Sequence, residues 1–412
     1  MNPFSNIFQE EEFGMSLTIG VLKESSPHEH RVALDPEVTK RLVKKGLQIL
    51  VEASAGEDAN FFDNDYESAG AKVVDRNAVI EQSNIVVMID NPDEQTRSQF
   101  KSGQLILGLL NSLTVTDEMT EFAKNKVNVL SFDLLPRTIS RAQTMDVLSS
   151  QSSVAGYKAA VIASDLYPKY FPMMITAAGT IKPAKVLVLG TGVAGLQAIG
   201  TAKRLGAIVS GYDIRPASRG EVESLGATFL TSSVSNGAGS GGYARQLTDE
   251  EQEAQHKELA EFIAQNDIVI TTAQVPGHKP PLMVTEDSVQ NSKPGTVFVD
   301  LGASDLGGNV AGSKPFETVV TDNHVTIVGA GDLASRVANS SSQLFAKNVQ
   351  AVINYVIEDD QIQIDPTDDV LTGLAAVYDG EIINARLRKA LDLPELPKPE
   401  EPAEDSETKE ES

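Results

Sequence analysis

A chain of 412 residues with 41% hydrophobic content has room for the cores of two domains, and a formal net charge of −24 argues against nucleic acid and anionic lipid as direct partners. Cysteine is absent, which removes disulfides, thiolate catalysis and Cys-ligated zinc, and the five histidines show no ligand spacing, so no metal site is expected. No apolar run approaches the roughly 18 residues of a membrane span. Met1 to Gly14 carries three acids, no base and no apolar core segment, so no signal peptide is expected and the chain is placed in the cytoplasm.

Residues 1–14 read as a polar, disordered extension. From there to about residue 135 strand and helix patterns alternate. Strands are expected at Leu17–Leu22, Leu47–Val51, Lys72–Val74, Ile85–Ile89, Gln104–Leu110 and Val127–Phe132, and helices at Pro36–Lys45, Tyr66–Gly70 and Thr116–Lys124. That alternation predicts a first α/β domain with a mostly parallel sheet. A linking region follows from Arg137 to Tyr167, polar at first and helical from about Ser152.

Lys185 to Asp213, KVLVLGTGVAGLQAIGTAKRLGAIVSGYD, reads as strand, glycine turn, helix and strand. Gly190, Gly192 and Gly195 stand in G-x-G-x-x-G spacing. The first suits a tight turn, the second close approach of a pyrophosphate, and the third close packing of helix on strand. The helix opens at Val193 and Ala194, where free N–H groups suit an anion. Asp213 ends the second strand, where a carboxylate accepts hydrogen bonds from a ribose diol and repels a 2′-phosphate, so NAD(H) is expected over NADP(H). Ile214 and Arg215 flank it, and Arg215 is the kind of residue that could relax this choice.

Further strands are expected at Thr228–Leu230, Asp267–Thr272, Thr296–Asp300 and Thr326–Val328, making a doubly wound sheet whose carboxyl-end mouth, with Gly329 at its rim, is the candidate site. Thr231–Thr248 is rich in glycine and serine and carries Tyr243; it reads either as a lid or as a tolerated insertion. A long helix over Arg336–Val356 returns the chain to the first domain, which Ile362–Leu391 completes. The expected organisation is two Rossmann-like doubly wound parallel-sheet domains: the first discontinuous over 15–146 and 341–390, the second over 147–340. An acidic disordered tail spans 394–412, with eight acids and two bases.

Arg137, Arg141, Gln143, Asp146, Ser149, Ser150 and Gln151 lie between the two domains. Such side chains can fix the rotation of a nicotinamide carboxamide, which offers one acceptor and two donors. A solvated linker is the alternative reading of the same pattern.

The stretches GVLKESSPHEHRVALDPEV, SRAQTMDVLSSQSSVAGYKAAV, FPMMITAAGTIKPAKVLVLGTGVAGLQAIGTAKRLGA, GGYARQL, TTAQVPGHKPPLMVTEDSV and SRVANSSSQLFAKNV resemble the NAD(H)-binding component of the proton-translocating nicotinamide nucleotide transhydrogenases, a family allied to the alanine dehydrogenases. The resemblance covers nearly all of residues 17–390. It implies that NADH held here passes hydride to NADP⁺ on a partner subunit, coupled to proton translocation. It also implies a homodimer, peripheral on the inner membrane face through membrane-embedded subunits; with one dinucleotide fingerprint and no second site for NADP(H), the chain is expected to be silent alone. In that family an Arg, a Gln and an Asp beside a Ser lie at the nicotinamide: Gln143, Asp146 and Ser149 match, while Thr138 is an insertion that displaces Arg137 by one residue. Tyr157 and Tyr243 match the family's aromatic positions at the nucleotide. The lysine and histidine of alanine dehydrogenases correspond to Met88 and Leu109, which cannot serve 2-oxo acid chemistry. An alanine-dehydrogenase-like enzyme and a non-catalytic NAD-sensing module are the remaining alternatives.

Overall fold

The computed structural model describes residues 17–232, 248–274, 277–365 and 367–396. In chain order the strands are β1 (Thr18–Val21), β2 (Gln48–Glu52), β3 (Lys72–Val74), β4 (Ile85–Val87), β5 (Leu105–Gly108), β6 (Asn128–Ser131), β7 (Met174–Thr176), β8 (Gly179–Ile181), β9 (Lys185–Leu189), β10 (Ile208–Asp213), β11 (Thr228–Thr231), β12 (Ile268–Thr271), β13 (Val297–Asp300), β14 (Thr318–Val320), β15 (Thr326–Gly329), β16 (Ile357–Glu358), β17 (Gln361–Ile362), β18 (Ala375–Tyr378) and β19 (Glu381–Ile382). One large sheet runs β19-β18-β6-β5-β4-β1-β2-β3 and the other β11-β10-β9-β12-β13-β15-β14. Each contains a six-strand parallel run whose direction of build reverses once, between β1 and β4 in the first sheet and between β9 and β12 in the second. Antiparallel pairing is confined to the ends of the sheets, at β18 and β19 and at β14. The architecture is the α/β, doubly wound one that the alternating pattern predicts.

Strands covered on both faces read as continuous apolar runs, and their alternate side chains feed two cores. Val186, Val188, Ile270 and Val299 join one core of the second sheet, while Leu187, Leu189, Val269 and Phe298 join the other. Helix starts follow local capping chemistry: Asp35 accepts from Val38 N at 2.7 Å, and Pro36 occupies the first helical position, where its missing N–H costs nothing.

Two long helices tie the sheets together. Val147–Leu166 contributes Val147 to the core of the first sheet and Ala159, Ala160 and Ala163 to that of the second. Ala338–Val356 packs Phe345, Val349, Val352 and Ile353 into the first core, with the Phe345 ring edge-on to Phe132 at 5.6 Å.

The structure departs from the sequence pattern in several places. The helix expected from Ser152 starts at Val147. Its polar first turns are helical because their side chains have protein partners: Ser150 Oγ donates to Asn348 Oδ1 at 2.8 Å, and Gln151, buried, bonds Arg31 and the carbonyl of Ser341. The second sheet has a seventh, antiparallel edge strand, β14, and β7 and β8 form a separate hairpin. The stretch from Ser335 to Val337 is a 3-10 turn ahead of the long helix, and Arg76–Gln82 and Glu94–Arg97 are additional short helices. No described helix is long and apolar enough to cross a membrane.

Candidate functional site

The glycine turn lies at the carboxyl end of β9, beside the reversal point of the second sheet. Gly190 has φ +93, a conformation that side chains disfavour, and its N–H donates to Tyr212 O at 2.9 Å. A Cβ on Gly195 would stand 2.9 Å from the Gly190 carbonyl carbon and closer still to its oxygen, so only glycine lets the helix Val193–Arg204 lie this near the turn. A Cβ on Gly192 would meet no atom of the described residues within 4 Å. Gly192 is the N-cap of that helix, and among the described residues no side chain caps its first turn. The N–H groups of Val193, Ala194 and Gly195 have no hydrogen-bond partner outside their own helix among the described residues, and such a helix start fits a dinucleotide pyrophosphate.

Asp213, at the end of β10, is 7% exposed. Thr191 N and Thr191 Oγ1 donate to its Oδ2 at 2.9 and 3.1 Å, tying the acid to the middle of the glycine turn. Arg215 donates its backbone N–H and Nε to Oδ1, each at 2.9 Å, and Nη2 to Oδ2 at 2.8 Å. Burial alone would raise the carboxyl's pKa; the bonds from Arg215 and Thr191 outweigh it and hold Asp213 below the usual carboxylate range. Ile214, between them, is half-buried against the second core.

Asp146 is the N-cap of the bridging helix, its Oδ1 accepting from Ser149 N at 2.9 Å. Arg137 Nε donates to Asp146 Oδ2 at 3.0 Å, Arg137 Nη2 to Ser149 Oγ at 2.8 Å, and Ser149 Oγ to Asp146 Oδ2 at 2.6 Å. Arg137 thus reaches both partners. Gln143 is exposed on the 3-10 turn Ser140–Met145, and its side chain makes no hydrogen bond among the described residues. Arg141 points elsewhere, to Asp368 and Asp369.

Gly156 joins this cluster to the glycine turn. A Cβ there would stand 2.8 Å from the carbonyl carbon of Ala194, so the bridging helix rests on the first turn of the Val193–Arg204 helix. Tyr157, next to it, is 44% exposed. Gly329 is buried at the end of β15: its N–H donates to Glu317 O at 2.8 Å, and the Lys314 carbonyl lies where a Cβ would be, so the contact that requires glycine is internal packing. Tyr243 lies outside the described residues. Sequence reasoning passed over Thr191 and Gly156. The isolated glycine in an otherwise helical stretch was a readable signal for Gly156, whereas nothing local marks Thr191.

The corresponding reversal point of the first sheet is built differently. The Glu24 carboxyl crosses from the end of β1 to the end of β4 and accepts from Ile89 N at 2.6 Å and Asp90 N at 3.1 Å. Although the residue is only partly shielded overall, its carboxyl is turned inward, and desolvation pushes its pKa up to about 8. Arg31 is held in a bidentate pair by Glu29 and reaches Gln151 of the bridging helix at 2.8 Å. Met88, 2% exposed, and the partly buried Leu109 bring no ionisable group. Ionisable side chains line this crevice, whereas at the second sheet the glycine turn presents backbone N–H groups.

Comparison with known proteins follows the same division. The family model described as "Alanine dehydrogenase/PNT, N-terminal domain" matches residues 20–155, and "Alanine dehydrogenase/PNT, C-terminal domain" matches residues 159–385. The chain is 41% identical over 379 residues to the first piece of an NAD(P) transhydrogenase subunit alpha from Rickettsia prowazekii, covering 90% of this chain and 98% of that one. It is 39% identical over 382 residues to the protein of the same description from Rhodospirillum rubrum, covering 90% and 99%. Among solved structures, a transhydrogenase from Sinorhizobium meliloti superposes with a TM-score of 0.78 at 36% identity, covering 89% of this chain and 99% of that one.

Proposed function

The chain belongs to the alanine dehydrogenase/transhydrogenase family, and we propose that it is the NAD(H)-binding component of a proton-translocating transhydrogenase. In this reading NADH bound at the glycine turn gives hydride to NADP⁺ held on a partner subunit. The observation that carries it is the junction at Gly156: it rests the bridging helix, whose N-terminus holds the Arg137–Asp146–Ser149 cluster, on the first turn of the Val193–Arg204 helix, whose N-terminus adjoins Asp213.

The nicotinamide supplies the hydride at its own ring. The chain's work is placement. The N–H groups of Val193, Ala194 and Gly195 hold the pyrophosphate, and Asp213 accepts the adenosine ribose hydroxyls. Arg137, fixed by Asp146 and Ser149, presents donors at a set angle. Gln143, unengaged among the described residues, offers a donor and an acceptor to a carboxamide. Tyr157, exposed beside Gly156, would cover the nucleotide, and the resemblance alone carries the same role to Tyr243. Transfer between two nicotinamides requires no protein acid or base, in keeping with a cluster whose members bond one another. The names of the two relatives, each a piece of a subunit alpha, support a partner carrying the second nucleotide. The proposed setting is a homodimer on the cytoplasmic face of the membrane, attached through membrane-embedded subunits.

The test is hydride transfer from NADH to an NADP⁺ analogue by the purified chain, before and after adding a transhydrogenase's NADP(H)-binding domain. No transfer alone and transfer after addition is the expected result. Silence in both, with NADH bound, favours a nucleotide-sensing module, and turnover of L-alanine with NAD⁺ favours a dehydrogenase. Against the last stand Met88 and Leu109, which bring no ionisable group.

A further inference from the structure

The ribose-binding acid is already saturated. Asp213 receives five donors: two from Thr191, one from the Arg215 backbone and two from the Arg215 guanidinium. Two carboxylate oxygens offer about four lone-pair sites, so no position remains for a further donor. Thr191 N and Arg215 N belong to the backbone of the turn and of the residue following the strand, and cannot leave without rearranging the fold. The guanidinium can leave: the Arg215 side chain is 27% exposed against 6% for Asp213, and swinging it outward leaves the backbone bonds to the carboxylate in place. It also sits side-on, Nε to one oxygen and Nη2 to the other, at 2.9 and 2.8 Å, the paired geometry in which two vicinal hydroxyls would donate.

We propose that Arg215 is a placeholder on the ribose-binding carboxylate, displaced when a ribose diol binds, and that this residue sets how sharply the site separates NAD(H) from NADP(H). The inference rests on the reading of Asp213 as the ribose acceptor. Two consequences follow from charge. With the guanidinium in place the carboxylate is neutralised locally, so the diol must replace a charge-assisted bidentate pair before it gains its own bonds, which weakens NADH binding. The same guanidinium, once displaced, remains within reach of the 2′ position as a cation, and a 2′-phosphate there meets Arg215 as well as Asp213, which softens the rejection of NADPH. Arg215 therefore narrows discrimination from both sides.

The experiment is titration of NADH and NADPH by nucleotide fluorescence with the full chain and its Arg215→Ala and Arg215→Lys variants, with circular dichroism to verify folding. Charge-assisted bonds of this kind correspond to roughly a tenfold change in affinity. Arg215→Ala is expected to bind NADH about that much more tightly and NADPH more weakly, while Arg215→Lys, a cation without the planar fork, falls between it and the unaltered chain. Equal weakening of both nucleotides by Arg215→Ala would overturn the proposal by making Arg215 a direct ligand, and unchanged affinities would overturn it by making the pair purely structural. Absence of NADH binding by the unaltered chain would instead refute the function proposed above, so the two failures are distinguishable.

Discussion

The carbonyl of Ala194 occupies the space where a side chain at position 156 would begin. Gly156 lies inside a helix, where alanine is ordinarily favoured by about 1 kcal/mol. Here the neighbour is backbone, which cannot rotate aside, so the sign reverses. Gly156→Ala should lower stability by about 1–3 kcal/mol, as overpacking does, and weaken NADH binding by moving the first turn of the Val193–Arg204 helix. Urea midpoints and NADH titration check both; a stabilised variant with full binding would mean the helices separate freely.

Nucleotide choice should depend on Asp213. NADH is expected to bind in clear preference to NADPH, and Asp213→Ala should narrow the gap by roughly tenfold, the scale of a hydrogen bond to a charged group. Competitive fluorescence titration measures it, and equal affinities in the unaltered chain would remove Asp213 from its proposed role.

Gln143 separates placement from binding. Its side chain has no hydrogen-bond partner among the described residues, so Gln143→Asn should leave stability within about 0.5 kcal/mol. NADH affinity should hold while hydride transfer slows in the reconstituted enzyme, because the shortened side chain no longer reaches the carboxamide. Unchanged transfer rates would return the segment to a solvated linker.

Glu24 should make stability depend on pH. Desolvation raises its carboxyl from 4.5 to about 8 in the folded chain. Between those values the unfolded chain ionises this group and the folded chain does not, so its contribution to stability is fully present below the lower value and is lost as pH rises through the higher one. Glu24→Gln cannot ionise and should flatten that decline. Its amide meets a backbone N–H where an oxygen stood, so the variant should also be less stable at every pH, and the slope is the informative quantity. Denaturant midpoints from about pH 5 to about pH 8 supply it.

Local patterns in the chain determined the backbone at the site. The Gly190–Gly195 spacing, the apolar runs of β9, β12 and β13 and the helical period after Gly195 each concern residues a few positions apart, where steric limits on φ and the two periodicities act directly. The parallel order of the two sheets follows from that alternation, since a strand, helix and strand of these lengths can close in few ways. Tertiary structure alone decided the partners of the polar groups. That the residues from Val147 to Gln151 form helix depends on Asn348, Ser341 and Arg31, which lie far away in the chain. The occupation of Asp213 by Arg215 depends on a side-chain torsion that spacing does not specify. That Glu24 crosses from the end of one strand to the backbone N–H groups after another, while Asp213 turns to the glycine turn, is a matter of packing. A hydrogen-bonding side chain can satisfy itself on water or on any matching group within reach, and only the packed chain limits that set to one.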